Sequence, residues 1–118
     1  MLLIVEDSEF NRDLLVQIFE DDYDLDVAVD GETAVRLASA LRPDLILMDI
    51  GLPGISGLDA VRAIRADPGF ERRPIVAVSS GVMPGDRERA LEAGCDEFVA
   101  KPIDDEALVV LVRSLLAE

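Results

Sequence analysis

Four short apolar segments of this sequence end at polar residues whose chemistry is complementary. Carboxylates follow the first two segments, a hydroxyl follows the third and an amine follows the fourth. The segments are residues 2–5, 45–48, 75–78 and 98–100, and the residues that follow them are Glu6 and Asp7, Asp49, Ser79, and Lys101. One such ending is ordinary, but four in one small chain predict a single polar site on one edge of a sheet.

Three carboxylates brought together at one edge favour a bound metal ion. Two carboxylates about 5 Å apart repel each other by about 3 kcal/mol at an effective dielectric near 20. The single charge of Lys101 does not balance Glu6, Asp7 and Asp49, whereas a divalent cation would. Because the ligands are hard oxygen atoms and the chain contains no histidine, the expected ion is Mg²⁺ or Mn²⁺.

A magnesium site lined by aspartates points to phosphoryl chemistry. Mg²⁺ usually binds one or two carboxylates, waters and a phosphate oxygen, and an aspartate can act as a nucleophile that forms an aspartyl phosphate. The three equatorial phosphoryl oxygens then need partners. The metal, the ammonium of Lys101 and the hydroxyl of Ser79 could take one oxygen each.

The elements that must position these residues alternate between strand and helix. The predicted strands are 2–6, 25–29, 45–48, 75–78 and 97–100. The first predicted helix spans about 8–20, with Asp7 or Ser8 as its cap, and the second is marked by the apolar residues of 34–41. The third begins at Ser56, the fourth spans about 85–93, and the fifth runs from Asp104 or Asp105 to about Leu116. Such β/α units with short connections predict a parallel sheet with helices on both faces and the site beyond the carboxyl ends of the strands.

Length and composition narrow the class of protein. The 118 residues predict one domain, residues 1–118, and the single cysteine suits a reducing compartment. No apolar run approaches the roughly 20 residues of a spanning helix, so we expect a cytoplasmic protein that does not bind membranes. A formal net charge of -14 argues against binding to nucleic acid or anionic membranes.

The four segments together resemble the receiver domain of bacterial two-component response regulators over nearly the whole chain. The matching stretches are residues 4–8, 45–54, 74–79 and 98–103. Each stretch alone is a weak signal, but all four in this order and at these spacings are specific. The resemblance implies a doubly wound, flavodoxin-like α/β fold with five parallel strands in the order 2-1-3-4-5 and five helices.

The resemblance also implies a role for each residue of the site. Asp49 would be the phosphoacceptor, Asp7 would bind Mg²⁺ directly, and Glu6 would act beside it through water. The carbonyl of Gly51 would be a further ligand, Ser79 would be the switch hydroxyl, and Lys101 would be the family's lysine. Phe98 stands where the family keeps a switch aromatic, although it also suits the core.

The partners implied by the resemblance are proteins. A sensor histidine kinase or a histidine phosphotransfer protein would donate its phosphoryl group, and a downstream protein target would read the result. The chain would assist its own phosphorylation and dephosphorylation rather than act as an enzyme. The chain looks most like single-domain cell-cycle regulators and the receivers of hybrid histidine kinases at Asn11 and in the stretches 83–88 and 93–96. A stand-alone regulator and a receiver of a hybrid kinase both fit this sequence.

Simpler explanations exist for single residues. Asp7 alone would be a helix cap, Asp49 a turn residue, Ser79 and Ser80 turn hydroxyls, and Lys101 a solvated strand end. The joint occurrence of the set favours a site, although Ser80 keeps the simpler explanation.

The last helix carries apolar residues outside its core stripe. These residues are Val109, Val110 and Leu116. They are either tolerated exposed aliphatics or a surface for a partner or a homodimer, and we favour the surface.

Two other functions are compatible with a strand-end aspartate. One is a Mg²⁺-dependent phosphohydrolase, but such enzymes usually carry a second aspartate where this chain has Gly51. The other is a receiver-like protein-interaction module that works without phosphorylation, against which the complete set of site residues argues. Gly51 and Gly81 are also smaller than the residues by which the family tunes water access to the phosphoryl group.

Overall fold

The computed structural model describes residues 1–51, 56–70, 73–79 and 84–117, so Ser80, Gly81 and Met83 lie outside the described residues. The described strands are β1 (Leu2–Val5), β2 (Leu25–Ala28), β3 (Leu45–Asp49), β4 (Ile75–Ser79) and β5 (Glu97–Ala100). The helices are α1 (Glu9–Phe19), α2 (Gly31–Leu41), α3 (Gly57–Arg65), α4 (Asp86–Ala93) and α5 (Asp105–Leu116), with a 3-10 turn at Pro68–Phe70. The predicted succession of strands and helices is confirmed.

The five strands form one parallel sheet in the order β2-β1-β3-β4-β5. The predicted strand order is therefore confirmed. Every residue of β3 and β4 is buried, as expected for central strands that helices cover on both faces. No helix among the described residues is long and apolar enough to span a membrane.

The helices cover the sheet in two layers, and each layer has its own apolar core. On one face α1 and α5 contribute Leu15, Phe19, Leu108 and Val112 to one cluster with the sheet. On the other face α2, α3 and α4 contribute mainly alanines together with Val61 and Ile64. The sheet is thus covered on both sides, and its carboxyl edge is the place where short strand-to-helix turns present polar residues.

Four of the five described helices begin at a residue whose side chain caps the first turn. Ser8, Asp30, Ser56 and Asp104 each accept a hydrogen bond from the backbone N–H three positions further on. Such caps typically contribute about 1 kcal/mol each. Ser8 and not Asp7 caps α1, which leaves the carboxylate of Asp7 available for the site. Helix α4 differs, because the residue before it, Gly85, is in the left-handed conformation (φ 89°) and provides no side-chain cap.

A single arginine ties the turns together at the opposite, amino edge of the sheet. The guanidinium of Arg65 donates to the backbone carbonyls of Phe70, Arg73 and Gly94 and to the carboxylate of Asp96. The same Asp96 oxygen accepts the N–H of the first residue of β4 at 2.8 Å. This arginine cluster joins the end of α3, the 3-10 turn, the start of β4 and the α4–β5 turn.

Candidate functional site

The parallel register brings the polar strand ends to one place. Val5 of β1 pairs with Met48 of β3. Glu6 and Asp49 are the next residues after this pair, so they are neighbours across the two strands. Ser79 is the last residue of β4, and its carbonyl accepts the N–H of Lys101 at 2.7 Å. The structure therefore places these four residues of the predicted site on adjacent strands at the carboxyl edge.

Three carboxylates meet at this edge. Glu6, Asp7 and Asp49 each offer an oxygen, and these oxygens lie within 4.8 Å of one another. Glu6 is 1% exposed and Asp49 is 7% exposed, whereas Asp7 is exposed. The cluster therefore has two oxygen donors in a buried wall and one at the solvent boundary.

Lys101 provides the positive charge of the site. Its Nζ lies 2.6 Å from Oε1 of Glu6 and 3.5 Å from Oδ2 of Asp49. The other oxygen of Glu6 accepts the N–H of Ser8 at 3.2 Å, and Oδ1 of Asp49 accepts the N–H of Gly51 at 2.9 Å. Both buried carboxylates are therefore held by donors on two sides.

The pKa values of the pair reflect this arrangement. Burial raises the pKa of Glu6, and the neighbouring Asp49 raises it further, against the opposing effect of Lys101. Burial alone would lower the pKa of Lys101, but the hydrogen bond with Glu6 and the charge of Asp49 outweigh it, so the pKa of Lys101 is raised. Lys101 is therefore cationic at neutral pH.

The donor set fits a hard divalent cation. The charges of the three carboxylates and one ammonium sum to -3 + 1 = -2, which a divalent ion neutralises. Octahedral Mg²⁺ at about 2.1 Å places opposite ligands about 4.2 Å apart, and the exposed side chain of Asp7 is free to adjust toward that spacing. The ammonium of Lys101 lies 2.6 Å from Glu6 but 3.5 Å from Asp49, so Asp49 and the exposed Asp7 have the oxygens more available to an ion.

Two other predicted residues lie beside this centre. Gly51 is exposed, and a Cβ atom built on it would lie 3.6 Å from Oδ1 of Asp49. A side chain at position 51 would therefore stand in contact with this carboxylate. Phe98 is half-buried and packs against the core of the α2–α4 face. The Lys101–Pro102 peptide bond that follows is cis.

Arg12 is a residue of this neighbourhood that the sequence did not single out. Its Nη1 donates to the backbone carbonyls of Glu6 and Asp7, at 3.2 and 3.5 Å. The sequence feature that could have indicated Arg12 is its position near the start of α1, the helix that follows Glu6 and Asp7. From there a long side chain can fold back over the turn between β1 and α1.

The three apolar residues predicted to form a surface on the last helix differ in exposure. Val110 is 64% exposed. Val109 and Leu116, in contrast, are partly buried and pack against the core of the α1–α5 face. Val110 is therefore the most exposed of the three residues, and a partner surface formed by them stays a prediction.

Comparison with known sequences agrees with this arrangement. A family model described as the response regulator receiver domain matches residues 2–113. The polar-differentiation response regulator DivK of Brucella anthropi is 36% identical over 118 residues, which is 99% of this chain and 96% of that protein. Response regulator PleD of Caulobacter vibrioides is 38% identical over 115 residues, which is 97% of this chain but 25% of PleD.

Solved structures give the same result. The receiver domain of the sensor histidine kinase PA1611 from Pseudomonas aeruginosa, with a magnesium ion coordinated in its active site cleft, matches with a TM-score of 0.91 and 35% identity, over 99% of this chain and 97% of that one. Chemotaxis protein CheY4 of Vibrio cholerae matches with a TM-score of 0.91 and 26% identity, over 98% and 97% of the two chains. The resemblance inferred from the four segments is confirmed, and the chain belongs to the family of response regulator receiver domains.

Proposed function

We propose that this receiver domain accepts a phosphoryl group on Asp49 in a Mg²⁺-dependent step and thereby signals to a downstream protein. The donor is a phosphohistidine on a sensor histidine kinase or a histidine phosphotransfer protein. The observation that carries the proposal is the position of Asp49, which is 7% exposed between an acidic pair and the ammonium of Lys101. A carboxylate so placed has a counter-charge on one side, and at Gly51 it has a neighbour without a side chain.

The transfer needs one bond to form and one to break. A carboxylate oxygen of Asp49 attacks the phosphorus, the new P–O bond forms, and the P–N bond to the donor imidazole breaks with its electron pair left on the imidazole nitrogen. Lys101 donates to a phosphoryl oxygen from its position 3.5 Å from Oδ2 of Asp49. The hydroxyl of Ser79, at the end of the neighbouring strand, donates to a second oxygen, and the N–H of Gly51 holds the orientation of the carboxylate.

The metal requirement is supported by the charge of the site. A bound Mg²⁺ would neutralise charge on the phosphoryl oxygens in the transition state. Asp7 and Asp49 would hold the ion directly, with Glu6 beside them through water and the carbonyl of Gly51 as a further ligand. The related PA1611 receiver domain has a magnesium ion coordinated in its active site cleft, which supports a metal requirement in this chain.

Phosphorylation would act as a switch through the neighbouring strand ends. A phosphoryl group on Asp49 draws Ser79 and Lys101 inward, and these two residues are joined by a backbone hydrogen bond between β4 and β5. The movement would bias the α4–β5–α5 face, including Phe98, between two populations that a target protein distinguishes. In this proposal the chain assists its own phosphorylation and dephosphorylation and turns over no other substrate.

The proposal is tested by intact mass after incubation with acetyl phosphate, with and without Mg²⁺. We expect one phosphoryl adduct on the wild type in the presence of Mg²⁺ and none on Asp49→Asn. Asp13→Asn, at an exposed position of α1, is the matched control and should be phosphorylated like the wild type. An adduct on Asp49→Asn would refute the assignment, and target binding that Asp49→Asn leaves unchanged would favour a phosphorylation-independent module.

A further inference from the structure

The turn between β1 and α1 carries two of the three carboxylates, and the structure holds them in different ways. Glu6 is fixed through its own side chain, because its two oxygens accept from Lys101 and from the N–H of Ser8. The carboxylate of Asp7 is exposed and has no ion pair among the described residues. The point from which the Asp7 side chain reaches the site therefore depends on how its backbone is held.

Arg12 is the residue that holds this backbone. Its Nη1 donates to the carbonyl of Glu6 at 3.2 Å and, less closely, to the carbonyl of Asp7 at 3.5 Å. Within the described ranges no other side chain bonds to the backbone of Asp7. The arginine comes from the next turns of α1, so it ties the two consecutive carbonyls of the acidic turn to the helix that Ser8 caps.

We propose that Arg12 is a positioning residue that orients Asp7 for the divalent cation, an inference that rests on the proposed function. The guanidinium acts through its bonds to the two carbonyls and does not touch the ion. Groups that orient metal ligands from behind commonly change metal affinity tenfold or more when they are removed.

Simple electrostatics predicts the opposite result. Arg12 carries a positive charge close to the acidic turn, and a like charge disfavours a bound cation. If charge were its only influence, Arg12→Gln would bind Mg²⁺ more tightly than the wild type. If Arg12 positions Asp7, the same variant binds Mg²⁺ more weakly, so the direction of the change separates the two explanations.

The experiment is calorimetric titration of MgCl₂ into the metal-free protein. We expect the Kd for Mg²⁺ to rise about tenfold in Arg12→Gln. Arg12→Lys keeps the charge and an N–H donor on a long stem, so it should bind Mg²⁺ more tightly than Arg12→Gln. Arg36→Gln is the matched control, because Arg36 is exposed on α2 and bonds to Thr33 of its own helix, and its Kd should not change.

Urea unfolding without Mg²⁺ separates positioning from a loss of fold. We expect Arg12→Gln to unfold at a urea concentration close to that of Arg36→Gln, and at saturating Mg²⁺ its phosphorylation by acetyl phosphate should recover. An unchanged or lower Kd in Arg12→Gln, or a Kd in Arg12→Lys that is higher than in Arg12→Gln, would overturn the inference. If the wild type binds Mg²⁺ but is not phosphorylated, the proposed function fails while the role of Arg12 stands.

Discussion

Asp7→Asn should make the metal-free protein more stable and remove its stabilisation by Mg²⁺. Asp7 repels both Glu6 and Asp49, because one oxygen of each carboxylate lies within 4.8 Å of the others. The ammonium of Lys101 bonds to Glu6 and lies beside Asp49, and no ion pair joins it to Asp7 among the described residues. Ser8 caps α1, so the substitution removes a charge without removing the cap.

The size of the effect follows from these distances. Two unit charges at the 4.8 Å limit repel by about 3.5 kcal/mol at an effective dielectric of 20 and by about 0.9 kcal/mol in bulk water. Asp7 takes part in two such pairs but is exposed, so the water value applies more closely and the gain is about 2 kcal/mol. Mg²⁺ at a hundred times its Kd stabilises the wild type by about 2.7 kcal/mol, which is enough to cancel the advantage of the variant.

Urea unfolding of both proteins with and without saturating Mg²⁺ measures these free energies. We expect the variant to be more stable without Mg²⁺ and the difference to disappear or reverse when the ion is added. Asp13→Asn removes an exposed charge from the next turn of α1 and should change neither value appreciably. A variant that is less stable than the wild type without Mg²⁺, or that gains as much as the wild type from the ion, would refute the reasoning.

Three further predictions concern other parts of the molecule. Gly51→Asn places a side chain beside the Asp49 carboxylate, where a Cβ lies 3.6 Å from Oδ1, and should slow loss of the phosphoryl group about tenfold, or ~1.4 kcal/mol, as followed by intact mass. Burial raises the pKa of Cys95 to about 11, so at pH 8 Ellman's reagent should react with the thiol far faster in urea than in the native protein. Because the pKa of Cys95 is higher in the folded than in the unfolded protein, the free energy of unfolding should also fall as the pH rises from 9 toward 11. Arg65→Met removes a cation that bonds to three backbone carbonyls and to Asp96, and it should lower the free energy of unfolding by roughly 3 kcal/mol, measured in urea; an unchanged stability would contradict the role of this cluster.

The strands and the convergence of their ends could be predicted because both depend on short-range patterns. Continuous apolar runs such as 45–48 identify strands buried on both faces. Once the strands are parallel, their carboxyl ends must share an edge, so Glu6, Asp49 and Lys101 had to meet there. Nothing beyond alternation and strand direction is required for that inference.

Contacts made by long side chains could not be predicted in the same way. Arg65 bonds to Gly94 and Asp96, which lie 29 and 31 positions away, and no periodicity marks such a pair. The bonds of Arg12 are local, but they go to backbone carbonyls, and any long side chain at that position could make them. The half-burial of Leu116 could not be predicted either, because helical spacing gives an angle around the helix and does not show how far a neighbouring element covers a residue.

The two ends of α4 differ in a way that matters for local unfolding. The helix has eight residues, and its carboxyl end at Gly94 lies against the side chain of Arg65 and bonds to it. Its amino end at Gly85 lacks a side-chain cap. Because a side-chain cap typically stabilises the first turn of a helix, backbone amide hydrogen exchange should be faster in the first turn of α4 than toward Gly94. Local opening of α4 from its amino end would therefore leave the start of β5 in its place in the sheet.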